Sequence, residues 1–145
     1  MKTFTTQRGT FIISTDKERL DIIAIHSFLK DAYWSKNIPI DIVKKSIEGS
    51  VCFGVYNDKV QIGFARVITD LATYGYLADV FILPNFQGQG LGIWLIKTIM
   101  TMEAFKNFRS WALSTQDAHG LYAKFGFKLE DKPALRMRKV NFEVY

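Results

Sequence analysis

Val80-Phe-Ile-Leu-Pro-Asn-Phe-Gln-Gly-Gln-Gly-Leu-Gly-Ile-Trp-Leu-Ile96 decides how this chain folds. An apolar run stops at Pro84, a Gly-rich loop runs from Gln87 to Gly92, and apolar residues at helical spacing follow. That order predicts a buried strand, a tight loop and a helix from about Gly90 to Glu103. Glycines at 88, 90 and 92 let the backbone approach a ligand closely and take left-handed angles where needed. Amides converging at a helix start, with its dipole, make a place for a phosphate or pyrophosphate. The same glycines could also serve only to join strand to helix. A P-loop would end in Gly-Lys-Ser/Thr, whereas this loop ends in Gly-Leu-Gly. A dinucleotide fingerprint needs an early βαβ unit and an acid about 20 residues on, and the chain has neither.

Upstream, Ser50–Tyr56 and Val60–Thr69 flank Asn57-Asp58-Lys59 and predict a hairpin, with Tyr74–Leu83 as the next strand. The later part of that strand is apolar at successive positions, which suits a strand covered on both faces. Thr10–Ser14 predicts a first strand. Thr15-x-x-Glu18 has capping-box spacing ahead of a helix over about Asp16–Lys30, and a second helix opens at Pro39 and Asp41 and ends at Gly49. Downstream, Ser110–Thr115 predicts a strand, Ala118–Phe125 a short helix closed by Gly126, and Phe127–Tyr145 one or two final strands. The fold class is therefore α/β, an α+β sandwich in which an antiparallel meander leads into a strand–helix–strand crossover.

The chain has 145 residues, and residues 1–145 are expected to form a single domain. A chain of 16.6 kDa exposes roughly 24,000 Å² unfolded and roughly 7,600 Å² folded, enough burial for one core. With 14% aromatic residues and mean hydropathy near zero, disorder is excluded. The net charge of +5 is spread out: the middle third is neutral, and no run of five or six like charges marks a nucleic-acid arm. Such a surface favours a polyanionic cofactor over a cationic partner. Arg136, Arg138 and Lys139 read as a solvated strand face or an anion site. No segment has the length of a signal peptide or a membrane span, so the expected location is cytoplasmic. The lone Cys52 lies between Val51 and Phe53 and reads as a buried small hydrophobe rather than a nucleophile. No His/Cys/carboxylate spacing points to a metal.

Two motifs in order carry a resemblance. Gln87-Gly-Gln-Gly90-Leu-Gly92 fits Gln/Arg-x-x-Gly-x-Gly/Ala, and about 30 residues later Tyr122-Ala-Lys-Phe-Gly126-Phe127 fits Tyr-x-x-x-Gly-Phe. The chain resembles the GNAT superfamily of acyl-CoA-dependent N-acetyltransferases over essentially its whole length. The resemblance implies a mixed central sheet with a splayed parallel strand pair and helices on both faces. It implies acetyl-CoA as co-substrate, its pyrophosphate on the amides of Gln87, Gly88, Gln89, Gly90, Leu91 and Gly92. Its pantetheine arm would pair with Val80, Phe81, Ile82 and Leu83, and an N–H from Val80 to Ile82 would polarise the thioester carbonyl. Many members carry Asn seven residues before the motif Tyr. Here Thr115 stands in its place, which leaves a side-chain contact to the cofactor open.

Transfer in that family is direct, from thioester to a bound amine. By the resemblance Tyr122 is the general acid for the departing thiolate; a helix Tyr packed on the sheet is the plainer reading. Asp79, a carboxylate in an apolar strand, is a candidate base, direct or through water, or a hydrogen-bond partner for a strand or cationic substrate. Tyr33 and Trp34 would wall the acceptor pocket or plug the core between helices. Arg66 would orient an acceptor carboxylate or be solvated. His119 would touch cofactor or acceptor, or cap a helix. His26 reads as a satisfied half-buried side chain. The expected partner is a small-molecule or peptide amine, without nucleic acid, membrane or metal; a homodimer is compatible. An acyl-CoA-binding sensor on the same fold and a nucleotide-binding protein are the rival classes.

Overall fold

Residues 51–82 build the centre of the protein because their apolar side chains alternate between two covered faces. The computed structural model describes residues 1–145. Its one sheet has six strands: β1 (Thr5–Arg8), β2 (Phe11–Ser14), β3 (Val51–Asn57), β4 (Val60–Thr69), β5 (Tyr74–Ile82) and β6 (Ser110–Ala112). They lie side by side in chain order; all neighbours are antiparallel except β5 and β6. The expected meander and strand–helix–strand crossover are present.

Helices cover both faces. On one, α3 (Leu91–Met100) buries Trp94, Leu95, Ile96 and Ile99 against Ile13, Phe53, Val55, Val67 and Leu77. On the other, α1 (Ile22–Leu29) and α2 (Ile40–Glu48) bring Ile25, Leu29, Val43 and Ile47 onto Cys52, Phe64 and Phe81. Each such side chain, fully buried, contributes about 1.5–3 kcal/mol. A short helix α4 (His119–Ala123) follows β6.

Several expectations are corrected. The first strand has a partner, β1, whose Thr-Thr-Gln-Arg sequence carries no apolar alternation; Gly9 turns the chain between them at φ 58°. The first helix is broken. Asp16 caps a 3-10 turn by accepting the Glu18 amide at 3.0 Å, and Asp21 caps α1 by accepting the Ala24 amide at 3.0 Å. Thr15 is no capping-box residue: its hydroxyl accepts the Phe4 amide at 2.8 Å. β6 ends at Ala112, short of Thr115.

The final strands expected within Phe127–Tyr145 do not form; that stretch holds only a 3-10 turn at Pro133–Leu135. Three-residue β6 offers too short an edge to template them, and Pro133 lacks a ladder donor. Residues 128–145 are all exposed. The chain accordingly shows 9400 Å² of surface, above the roughly 7,600 Å² of a compact protein this size. No helix is long and apolar enough to cross a membrane.

Candidate functional site

β5 and β6 pair only from Tyr74 to Tyr76 with Ser110 to Ala112. Beyond Tyr76 the two parallel strands part, and the edge of β5 from Leu77 to Ile82 has no strand on that side. A bulge in the β4–β5 ladder lies alongside the unpaired edge. Phe64 faces Phe81 and Arg66 faces Ala78, so Ala65 alone opposes both Asp79 and Val80, and Asp79 takes the left-handed angle φ 55°. Leu83 N–H donates to the Ile82-flanking ladder at Ile62 O, 2.8 Å, so by strand alternation the polar backbone of Ile82 points into the gap. The Ile82 carbonyl accepts Gln87 Nε2 at 2.8 Å.

At the end of β5 the loop opens onto α3. Gly88 and Gly90 have φ 82° and 86°, and Gly90 caps the helix. A Cβ at 88, 90 or 92 would meet no atom within 4 Å, so the glycines border open space rather than packed protein. The Gln87 amide is engaged with Pro84 O, a correction to the expected run of free amides. The amides of Gly88 to Ile93 donate to no backbone group, and the helix ladder starts with Trp94 N–H on Gly90 O. Six donors without a backbone partner and a helix start thus stand at the end of an unpaired strand edge, an arrangement that fits a pyrophosphate with an extended arm.

Tyr122 lies on α4, the helix that follows β6. Its ring is buried against Phe127, centroids 6.0 Å apart. Burial, then the neighbouring Tyr33 and Asp117, push its pKa up to about 12, so it keeps its proton at neutral pH.

The segment between α1 and α2 bridges the parted strands. Trp34 Nε1 donates to Asp79 Oδ1 at 2.8 Å, and Tyr33 Oη accepts the Gln116 amide at 3.1 Å. Adjacent residues therefore bind the two diverging chains, one on β5 and one past β6. Tyr33 is 50% and Trp34 42% exposed, so they do not plug the core between the helices. Trp34 also lies near Phe28, which stacks on Phe81 at 3.9 Å. Arg66 is not solvated: Nε donates to Asp79 Oδ2 at 2.6 Å and Nη1 to Ser50 Oγ at 3.1 Å. Thr115 Oγ1 accepts the Ala118 amide at 3.1 Å, and His119 stands exposed on the first turn of α4. His26 Nε2 donates to Ile38 O at 2.9 Å. A cavity of about 440 Å³ near the amino terminus, lined in part by Lys17, Glu48 and Ser50, touches this network only through Ser50.

Ser50, Gln116, Asp117 and the Ile93 amide were not expected at the site. Ser50 and Gln116 were hidden because their partners, Arg66 and Tyr33, lie 16 and 83 residues away; the Ile93 amide and Asp117 lie close in sequence to Gly92 and Tyr122 but carry no motif of their own.

Residues 48–129, β3 through α4, match a family model described as an acetyltransferase (GNAT) domain. A protein of Xanthomonas campestris pv. campestris, named as a GNAT-family acetyltransferase, is 41% identical with TM-score 0.88, over 92% of this chain and 95% of that one. A Gibberella zeae protein named as an acetyltransferase is 31% identical over 138 residues, 81% of this chain and 78% of its own length. A Prochlorococcus marinus protein named ycf52-like N-acetyltransferase is 31% identical over 129 residues, 85% and 71% of the two chains.

Proposed function

The chain belongs to the GNAT family of acetyltransferases, and from that premise we propose that it transfers an acetyl group from acetyl-CoA to the amine of a small molecule or peptide. The observation that carries this reading is the unpaired β5 edge running into the free amides of Gly88 to Ile93. Those amides hold the pyrophosphate, and the Val80–Leu83 edge aligns the pantetheine arm. An N–H from Val80 to Ile82 polarises the thioester carbonyl.

Bound acetyl-CoA supplies an acyl group already activated as a thioester, so direct attack by an amine needs no nucleophile from the protein. Cys52 would be a poor one: burial pushes its thiol up to about 11. Tyr122, protonated throughout the neutral range, donates to the departing sulfur. An alkyl amine is mostly ammonium near pH 7 and must lose a proton before attack. Asp79 could take it directly or through water. Both its oxygens already accept a bond, which favours solvent as the proton's route and Asp79 as the anchor of Trp34 and Arg66. Trp34 and Tyr33 wall the acceptor side, and His119 stands at its rim. The Arg66 guanidinium is occupied by Asp79 and Ser50, which argues against its binding an acceptor carboxylate.

Two measurements test the reading. Acetyl-CoA should raise the melting temperature while ATP and NAD do not. A panel of amines with acetyl-CoA should then release free CoA thiol. Equal stabilisation by ATP would sink the cofactor assignment. Stabilisation without turnover on any amine would favour an acyl-CoA sensor on this fold.

A further inference from the structure

The segment between α1 and α2 is closed on itself and tied outward at three points. Ser35 Oγ donates to Leu29 O at 2.6 Å and Asn37 N–H to Lys30 O at 2.8 Å, so its own shape is set. Trp34 ties it to β5 and Tyr33 to Gln116. The third tie comes from the end of the chain: Tyr145 N–H donates to Lys36 O at 3.2 Å.

That third bond is conspicuous for what surrounds it. Residues 128–145 are exposed throughout. Their other hydrogen bonds stay within the segment: Leu135 N–H to Lys132 O, Arg136 N–H to Pro133 O, and Arg136 Nε to Glu130. The bond to Lys36 is the one hydrogen bond that joins this segment to the rest of the protein, and it lands two residues from Trp34. Phe142 and Tyr145 pack edge to face at 5.2 Å beside it. A segment without buried anchorage, returning to this place, gains its order there and gives order back.

We propose that Phe142–Tyr145 braces the acceptor wall: it is a positioning element that holds Lys36, and through it Trp34 and Tyr33, against the gap between β5 and β6. That the wall faces an acceptor rests on the acetyl-transfer reading; the link between tail and wall does not. Because the contact is made by a backbone N–H, it can be removed without emptying the position. Tyr145→Pro deletes the donor, whereas Tyr145→Ala keeps it and loses only the ring.

The test is the indole N–H cross-peak of Trp34 in a ¹H–¹⁵N spectrum of the full chain, assigned with Trp34→Phe. Tyr145→Pro should shift this peak and speed its exchange with water roughly two- to tenfold, the factor that losing one ordinary hydrogen bond gives an opening equilibrium. Tyr145→Ala should leave it near the parent. A chain ending at Asn141 should reproduce the proline variant. The Trp94 and Trp111 peaks and the acetyl-CoA-dependent rise in melting temperature should stay unchanged in all three. An unmoved Trp34 peak in both the proline variant and the shortened chain would overturn the brace, as would equal movement of all three indoles. Absence of acetyl-CoA stabilisation in the parent would instead count against the transfer reading and leave the brace to be judged by the indole alone.

Discussion

Arg66 and Asp79 meet across the bulge of the β4–β5 ladder, Nε to Oδ2 at 2.6 Å, with side chains only 17% and 9% exposed. Two charges so withdrawn from water hold each other at a cost that appears when one is removed. Breaking such a pair from one side costs about 3–5 kcal/mol when fully buried. We expect Asp79→Asn to lose roughly 2–4 kcal/mol in denaturant unfolding, because the amide presents a donor to Arg66 or Trp34. The double change with Arg66→Met should recover part of that loss. In the acetyl-transfer assay, an acidic limb of the pH–rate profile that survives in Asp79→Asn marks the residue as an anchor; its disappearance marks the base.

Gly92 separates stability from binding. It lies in the first turn of α3 with ordinary helical geometry and nothing within 4 Å of a Cβ. Gly92→Ala should therefore stabilise the fold by about 0.5–1 kcal/mol through helix propensity. Acetyl-CoA affinity should change little, because the motif accepts Gly or Ala where Gly92 borders the phosphate site. Gly90→Asp, at φ 86°, should abolish binding by filling and charging the same place. Unfolding and a calorimetric titration check both, and unchanged affinity in Gly90→Asp would remove the loop from the site.

Tyr122→Phe should slow turnover by about 10²-fold or more, the usual range for a general acid, with acetyl-CoA affinity nearly unchanged. With the hydroxyl pKa near 12, the parent should show no alkaline limb from this group across the ordinary assay range. A rate equal to the parent's would leave Tyr122 a packing residue only.

Alkaline stability should follow three buried groups. Burial is the main cause that raises Cys52 from 9.0 to about 11, and Tyr56 and Tyr122 from 10.0 to about 12. Folding therefore favours their neutral forms. The stabilisation is complete below about pH 9 and is lost as pH climbs toward about 12. Cys52→Ala should flatten the part between about pH 9 and 11, at most ~3 kcal/mol at 1.36 kcal/mol per pKa unit. Melting temperatures of the two proteins should converge over that interval, and parallel curves would contradict the assignment.

The sequence made the centre of the fold and the cofactor loop legible because both rest on short-range signals. Alternating apolar residues in 51–82 and glycines spaced by two in 88–92 need no distant partner to be read. Tyr122 was legible only through the resemblance. The pairing of Arg66 with Asp79 escaped because the bulge shifts the register by one, and Asp79 taken alone is an isolated acid in an apolar strand. The wall escaped for a stronger reason: Trp34 and Asp79 are 45 residues apart, Tyr33 and Gln116 are 83 apart. β1 was missed because hairpin pairing alone holds its polar residues. The tail misled because its alternation is real but no adequate edge receives it.

The three-rung seam between β5 and β6 has a mechanical consequence. It is the shortest junction in the sheet, and the gap above it borders the meander on one side and α4 on the other. A molecule lodged there would rivet two portions of the protein that the backbone ladder scarcely joins. Pulled apart from its ends, the empty protein should yield first along this seam. With the gap filled, the yield point should migrate into the antiparallel strands.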